Sequence, residues 1–140
     1  MTHLAEILPI ALLGTIPAGL PEERGGSEGN KACENIGIDR AVYIPTRNTF
    51  ALRMVGDSMV GKHILDGDIV ILEHGPDPRS GQVVAALIDG KSVLRTFVVR
   101  NGKPFVCAAN PKYPAVMPSE ELMIQGVARM IVRRAKGFDR

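Results

Sequence analysis

Short apolar runs recur along most of this chain, and each is bounded by Gly, Pro, Asn or Asp. The runs are rich in β-branched residues, a combination typical of strands. A helical period is weak and confined to residues 5–13. The pattern predicts strands at Ala41–Ile44, Phe50–Val55, Asp68–Glu73, Gln82–Ile88, Ser92–Val99, Pro104–Ala108 and Leu122–Val132.

One connection carries a specific hairpin signal. Residues 83–88 and 92–98 flank Asp89-Gly90-Lys91. Glycine readily takes the positive φ that a tight hairpin turn requires, so these two strands are expected to pair antiparallel. Because the predicted elements are nearly all strands, we expect a mostly β protein with a curved, strand-rich body.

The chain divides into three zones by composition. Residues 1–21 are apolar and interrupted by prolines, and we expect them to form a flexible N-terminal arm. Residues 22–38 are polar and rich in glycine, which is typical of a flexible linker. Residues 39–140 hold the predicted strands and form the body. The body ends in a short basic tail, which we interpret as solvated.

Size and charge narrow the classes of protein. The chain has 140 residues, which is enough for one domain with a core. Aromatic residues are only 4% of the total, so the core must consist mainly of aliphatic side chains and Met. The formal net charge of +2 is too balanced to indicate a nucleic-acid binder by electrostatics. A large multidomain enzyme, a coiled coil and a disulfide-stapled miniprotein are excluded.

The cysteines and histidines do not form a recognisable ligand pattern. Cys33 and Cys107 are far apart, no CxxC occurs, and the histidines are scattered. We therefore expect two lone thiols, no metal site and no cofactor. The longest apolar stretch, residues 8–20, is broken by prolines and glycines, so no membrane segment is expected and we predict a cytoplasmic protein.

The candidate chemistry centres on Ser58, in the sequence Gly56-Asp57-Ser58-Met59 directly after a predicted strand. This placement suits a nucleophile, because glycine permits close approach and nearby backbone N–H groups can stabilise an oxyanion. Asp57 and Met59 would then border the oxyanion site and the cleft. A serine in a turn is more often a turn or capping residue, so this motif alone does not establish a function.

Three aspartates near this serine could be mistaken for an acid pair or a metal site. Asp57, Asp66 and Asp68 neighbour glycines in predicted turns, and no further carboxylate or histidine completes a ligand set. We interpret them as turn-forming carboxylates that accept hydrogen bonds from backbone N–H groups.

Taken together, the motifs over residues 48–132 resemble the LexA/UmuD family of self-cleaving proteins. The resemblance is carried by Val55–Met59, Asp66–Asp68, Gly81–Ala85, Asp89-Gly90, Val93–Phe97, Asn110-Pro111 with Tyr113, and Gly126-Val127. It implies a curved autoprotease body with a Ser/Lys dyad. Such a body cuts its own N-terminal arm when DNA damage has formed the activated recombinase filament on single-stranded DNA.

The resemblance assigns roles to specific residues. Ser58 corresponds to the family's nucleophile, and the segment Ile16–Pro21 resembles the family's cleavage site, with Ala18–Gly19 as the scissile bond. Ser58 would attack the carbonyl of Ala18, and backbone N–H groups at and beside Ser58 would hold the oxyanion. Whether the arm enters its own cleft or that of a dimer mate stays open.

The family's general base is a lysine, and Arg95 stands at that position. A guanidinium does not deprotonate in proteins, so we expect impaired self-cleavage. Natural loss of activity and an introduced substitution both remain open explanations. Other bases are weaker candidates, because they lie in predicted loops or turns: Lys62, His63 and Lys91.

Three functional interpretations follow from the resemblance. The short chain favours a UmuD-like protein that partners an error-prone DNA polymerase. The alternatives are a C-terminal fragment of a LexA-like transcriptional repressor and a non-enzymatic dimeric interaction module. In each case we expect a homodimer that pairs through Leu122–Val132, a contact with the recombinase filament, and no direct DNA binding by this chain.

Overall fold

The regular secondary structure of the described residues is almost entirely strand, as the sequence predicts. The computed structural model describes residues 5–16, 34–88, 90–113 and 122–135. The expected scissile bond Ala18–Gly19, Asp89 and Cys33 lie outside these residues. The strands are β1 (Ile7–Ile16), β2 (Glu34–Asp39), β3 (Thr49–Met54), β4 (Ile69–Glu73), β5 (Val83–Ile88), β6 (Lys91–Arg100), β7 (Lys103–Cys107) and β8 (Leu122–Val132).

All these strands belong to one curved sheet in the order β2-β1-β3-β4-β8-β5-β6-β7. Neighbouring strands are antiparallel except for β1 and β3, which run parallel. The predicted hairpin is confirmed: β5 and β6 pair from Val83↔Thr96 to Ile88↔Lys91, and Gly90 has a φ of 83°. The described part of the chain contains no helix with the length and hydropathy needed to cross a bilayer.

The core divides between the two faces of the sheet. Because side chains alternate along a strand, Phe50, Leu52 and Met54 of β3 pack into one cluster. Ala51, between them, faces the opposite side and packs with Ile10 and Leu12 of β1. Both clusters are mainly aliphatic, as the scarcity of aromatic residues requires.

The N-terminal segment differs from its prediction as a flexible arm. Residues 7–16 form β1, and residues 34–38, which we assigned to the linker, form most of β2. The two strands pair from Ile7↔Asp39 to Leu12↔Glu34. Pro9 fits because this half of β1 pairs with β2 alone, so a missing N–H breaks no second ladder. The weak helical period here was misleading, since the proline and a bulge at residues 12–14 interrupt any regular repeat.

The predicted strand Ala41–Ile44 is wrong. This segment leaves the sheet in a turn, because the Asp39 side chain accepts a hydrogen bond from the Ala41 N–H at 2.8 Å. The Tyr43 hydroxyl then donates to Glu73 at 2.7 Å. Burial, together with the hydrogen bond and charge of Glu73, raises the pKa of Tyr43 to about 12. A turn-forming aspartate therefore outweighs the strand propensity of the residues that follow it.

Strand β8 crosses the middle of the sheet, with β4 and β5 as its neighbours. Gly126 lies next to Val127, the residue at which β8 changes from pairing with β5 to pairing with β4. A Cβ added there would lie 2.9 Å from Cζ of Phe50 and 3.2 Å from the carbonyl oxygen of Glu73. The Phe50 ring therefore packs directly against the β8 backbone, and only glycine leaves room for it.

We predict that Gly126→Ala lowers the free energy of unfolding by about 1–3 kcal/mol, because the new methyl group overpacks the Phe50 ring. Urea-induced unfolding measures the change. Phe50→Leu in the same chain should offset part of the Gly126→Ala effect, since it removes the ring atoms nearest the methyl group. An unchanged unfolding midpoint in Gly126→Ala would contradict the close approach.

Candidate active site

The turn after β3 presents Ser58. Gly56 has a φ of 97°, and its N–H donates to the Asp66 carboxylate at 2.8 Å, which fixes the start of the turn. Ser58 follows and is only 8% exposed. Beyond it, a short 3-10 turn at Val60–Lys62 leads toward β4. The candidate nucleophile therefore lies in a turn directly after a strand, as the sequence predicts.

Arg95 of β6 contacts this serine. Its Nη1 donates to the Ser58 Oγ at 3.1 Å and to the Leu94 carbonyl at 2.8 Å. Strand β6 pairs with β7 only from Thr96 onward, so the edge beside Arg95 is open and the side chain can fold back on its own strand. Burial lowers the pKa of Arg95 from its usual value. The structure therefore brings together the two residues that the resemblance assigned to the dyad.

A second loop closes onto the Ser58 turn through Ala109. The Ala109 N–H donates to the Ser58 carbonyl at 2.8 Å, and the Ala109 carbonyl accepts from the Gly61 N–H at 2.6 Å. A Cβ on Gly61 would lie 2.7 Å from that carbonyl oxygen, so the close approach requires glycine. These contacts tie the residues after β7 to the turn that carries the nucleophile.

Asp57 fastens the same loop with its side chain. Its carboxylate accepts from the Tyr113 hydroxyl at 2.6 Å and pairs with the Lys112 ammonium at 2.9 Å. These two hydrogen bonds hold the pKa of Asp57 below its usual value, and the bond to Asp57 raises the pKa of Tyr113. The Tyr113 ring lies 5.8 Å from the Arg95 guanidinium carbon, within cation–π range. Tyr113 therefore contacts both Asp57 and Arg95.

A cavity of about 280 Å³ lies beside the candidate dyad. Its walls come from the ends of β1 and β3, the Ser58 turn, β6 and Tyr113: Ile16, Met54, Val55, Gly56, Asp57, Ser58, Val93, Leu94, Arg95 and Tyr113. Ile16 is the last residue of β1, and its carbonyl accepts from the Val55 N–H at 2.9 Å. The strand that precedes the expected cleavage site thus ends inside this pocket.

The other candidate bases do not line the pocket. His63 ends the 3-10 turn with a φ of 62° and is exposed. Lys62 reaches away, with its Nζ 3.4 Å from the Gly81 carbonyl. Lys91 is exposed and pairs with Ile88 at the start of β6. Among the described residues, Arg95 is thus the one basic side chain in contact with Ser58.

The two residues that flank Ser58 face different environments. Asp57 borders the cleft, as expected. The Met59 side chain is fully buried in the core cluster of Leu52 and Met54, and it does not line the cleft. Within the described chain, the backbone N–H groups of Ser58 and Met59 have no hydrogen-bond acceptor. The expectation that Met59 borders the cleft is therefore wrong, because the residue is fully buried in the core.

The aspartates behave largely as turn residues. Asp66 accepts from Gly56, and Asp68 accepts from the Leu65 N–H at 2.7 Å, as predicted. Asp57 differs, since its carboxylate binds side chains. Asp68 also accepts from Arg133 Nε at 2.7 Å and Nη2 at 2.9 Å, a link to the segment after β8 that the sequence did not reveal. Cys107 carries a free, half-buried thiol.

The sequence does not predict that two side chains line the pocket. Tyr113 is predicted only as part of a motif, and its aromatic ring after Asn110-Pro111 is the available signal. Ile16 is predicted as the start of the cleavage-site segment in a flexible arm, whereas it is 1% exposed and packs in the main core cluster. The tertiary contact between β1 and β3 has no local sequence signature.

A serine hydroxyl held against a basic side chain in a cleft, on a curved sheet, defines a serine peptidase-like site. Residues 11–129 match the Peptidase S24-like family, and the chain belongs to that family. The match extends from β1 to β8 and so includes both the pocket and the strand that leads into it.

Known relatives of this chain carry the name LexA repressor. That of Verrucomicrobium spinosum is 43% identical over 135 residues, covering 94% of this chain and 64% of the relative. That of Opitutus terrae is 37% identical over 130 residues, covering 91% and 62%. That of Alcanivorax borkumensis is 32% identical, covering 95% and 62%. The chain therefore spans about three-fifths of the length of these curated relatives.

The Asp68–Arg133 pair makes the stability of the folded protein depend on pH. Asp68 is 1% exposed, and the hydrogen bonds from Arg133 hold its pKa below the usual value despite its burial. A depressed carboxyl pKa contributes stability that is present above the unfolded value of about 3.9. That contribution is lost as the pH falls through the lower pKa of the folded state.

We predict that Asp68→Asn lowers the free energy of unfolding at pH 7 by about 1–3 kcal/mol, because a charge-assisted hydrogen bond is lost. The difference from the wild type should shrink as the pH falls below about 3.9. Urea unfolding at several pH values measures it. Asp66→Asn is the matched control, since its exposed amide can still accept from Gly56, and it should change stability little at any pH. A pH-independent difference for Asp68→Asn would contradict this assignment.

Proposed function

We propose that this chain is the self-cleavage domain of a LexA-like protein of the SOS response, in which Ser58 attacks the carbonyl of Ala18. The family assignment and the names of the relatives support this proposal. They favour the LexA-like alternative over the UmuD-like interpretation, because the named relatives are repressors and the chain matches about three-fifths of each. An error-prone polymerase belongs as a partner to the less favoured interpretation.

The observation that carries the proposal is the position of Ile16 in the Ser58 pocket. Ala18 follows only two residues later, and two extended residues span about 7 Å. At most about 7 Å of chain therefore separates the expected scissile carbonyl from a residue that lines the Ser58 pocket. A small residue before the bond and a glycine after it suit a cleft of this size.

The roles of the site residues follow from the chemistry. The Ser58 Oγ forms a bond to the Ala18 carbonyl carbon, and the C–N bond to Gly19 breaks. Water then hydrolyses the resulting ester, which frees the Ser58 hydroxyl and leaves a carboxylate at Ala18. Backbone N–H groups at and beside Ser58 would hold the oxyanion. The Ser58 proton must pass to the leaving Gly19 amine through a base. A protonated guanidinium donates to the Oγ and cannot carry that proton, so cleavage is expected to be very slow.

The activated recombinase filament would act through the arm rather than through the chemistry. A partner that binds the pose with the scissile bond in the cleft shifts the population toward that pose. The filament would then raise the fraction of molecules in which the bond is placed for attack. It would not replace the missing base, so this chain is expected to stay largely uncut even with the filament present.

We propose that two copies of the chain pair through one half of β8. Residues 122–126 pair with β5, whereas residues 128–132 pair with β4, and Val127 pairs with both. Among the described strands, residues 128–132 have no partner on their second edge. This open edge can pair with the same edge of a second copy. Sedimentation equilibrium measures the association, and a monomer at every concentration would contradict it.

A non-enzymatic role is the second candidate, and the arginine at the base position favours it. Such a domain would keep the fold, the pocket and the dimer edge without cutting itself. The substitution Arg95→Lys separates the two functions, because only a latent autoprotease regains activity when a lysine is restored.

We predict that Arg95→Lys produces self-cleavage between Ala18 and Gly19. A general base typically accelerates such a step by about 10²–10⁴-fold. Burial in this pocket should lower the lysine pKa, so the rate should rise with pH until the amine is neutral. Incubation at alkaline pH, and separately with the filament, followed by mass spectrometry, measures the products 1–18 and 19–140.

Matched variants make the result specific. Arg100→Lys, on the exposed end of the same strand, should leave the chain uncut. Ser58→Ala combined with Arg95→Lys should abolish cleavage. Rapid Ser58-dependent cleavage of the unaltered chain would refute the impaired dyad. Failure of Arg95→Lys to cut under either condition would refute the autoprotease proposal and leave the interaction module.

A further inference from the structure

Strand β1 is an interior strand of the sheet. Its first half pairs with β2 over Ile7–Leu12, and its second half pairs with β3 over Leu12–Ile16. At its end, the Val55 N–H donates to the Ile16 carbonyl. A segment held by strands on both sides differs from a tether that merely leads to a cleavage site.

Side chains of β1 also pack on both faces of the sheet. Ile10 and Leu12 are 2% and 8% exposed and belong to the cluster around Ala51 and Ile71. Ile16 is 1% exposed and belongs to the cluster on the opposite face. Removing β1 would therefore open both cores to water, which is unfavourable in proportion to the apolar area exposed.

The outer strand depends on β1 as well. Strand β2 is the edge of the sheet, and within the described chain its one strand partner is β1. If β1 left, β2 would lose all of its ladder hydrogen bonds within the described chain, and Ile36 and Ile38 would lose the β1 part of the cluster they pack against. The departure of β1 thus requires the concerted loss of two strands from the sheet.

The expected cut leaves all of β1 on the N-terminal fragment. The bond Ala18–Gly19 lies in the connection from Ile16 to Glu34, after β1 and before β2. Hydrolysis there breaks the covalent link between the two strands but none of the hydrogen bonds that β1 makes with β2 or β3.

We propose that the space between β2 and β3, here named the β1 slot, is a strand-binding site that retains the N-terminal fragment after the chain is cut. Breaking the bond and releasing the fragment are then two separate steps. The second step is the unzipping of β1, and the affinity of the β1 slot for an extended apolar segment sets its rate.

In the natural reaction this inference rests on the proposed function, since that function supplies the cut. The test does not depend on it. A recognition sequence for a site-specific protease is inserted between Gly25 and Gly26, in the connection between β1 and β2, and the full chain is cut with that protease. Self-cleavage by Ser58 is not needed, so failure of the autoprotease proposal and failure of retention are distinguishable.

Size-exclusion chromatography under native conditions, with mass spectrometry of the fractions, measures whether the two fragments stay together. We expect the N-terminal fragment to co-elute with the body and to separate only in denaturant. A fragment that elutes apart from a body that remains folded by circular dichroism would overturn the proposal, and this measurement needs no substitution.

Substitutions then locate the site. Release is followed by adding a labelled peptide of residues 5–18 to the cut protein and measuring its exchange into the body. The double substitution Ile10→Ala with Leu12→Ala should speed release by at least about tenfold, because two buried side chains lose their packing. Val99→Ala is the control outside the β1 slot, since Val99 is a 43% exposed residue of β6, and it should leave the rate unchanged.

The uncut variants are compared with the wild type by thermal unfolding, so that a general loss of fold is recognised. Equal release rates for the core variant and the control, with both chains folded before cutting, would overturn the assignment of retention to the β1 slot. Faster release in the core variant alone would support it.

Discussion

The hydrogen bond from the Val55 N–H to the Ile16 carbonyl fixes the position of β1 relative to the turn that carries Ser58. It joins the end of β1 to the end of β3, and the serine turn begins just after that point. Because β1 and β3 run parallel, both strands end at the same end of the sheet. The strand that precedes the expected scissile bond and the turn that carries the nucleophile are therefore brought to one pocket by the register of a single strand pair.

The rest of the site is organised around that junction. The loop after β7 binds the serine turn through backbone and side-chain hydrogen bonds, and Tyr113 lies between Asp57 and Arg95. These contacts fix the geometry without deciding the reaction. Under the proposed function, reactivity would depend on whether the side chain at position 95 can accept a proton, and a guanidinium cannot. One side chain would then decide whether this fold cuts itself or serves only as an interaction module.

The sequence predicted the fold class and most strands because the body obeys local rules. Period-two alternation and glycine turns locate β3 to β8 within a few residues. The resemblance placed Ser58 and Arg95, which the structure brings to 3.1 Å. The N-terminal strands escaped prediction, because proline, a bulge and a glycine-rich connection hide strands whose stability comes from β3. Asp68 with Arg133 and Tyr113 with Asp57 join residues distant in sequence, so no local pattern could reveal them.

The parallel pairing of β1 with β3 also has a consequence for how the chain assembles. Pairs such as β5 with β6 close a short loop, whereas Ile16 must wait for Met54, far along the chain, before it can pair. Contacts of long sequence separation form slowly because loop closure costs entropy before any contact is gained. The second half of β1 is therefore expected to join the sheet only after β3 has been made, although β1 precedes every other described strand. During synthesis Ile16 must stay unpaired until β3 has emerged to receive it.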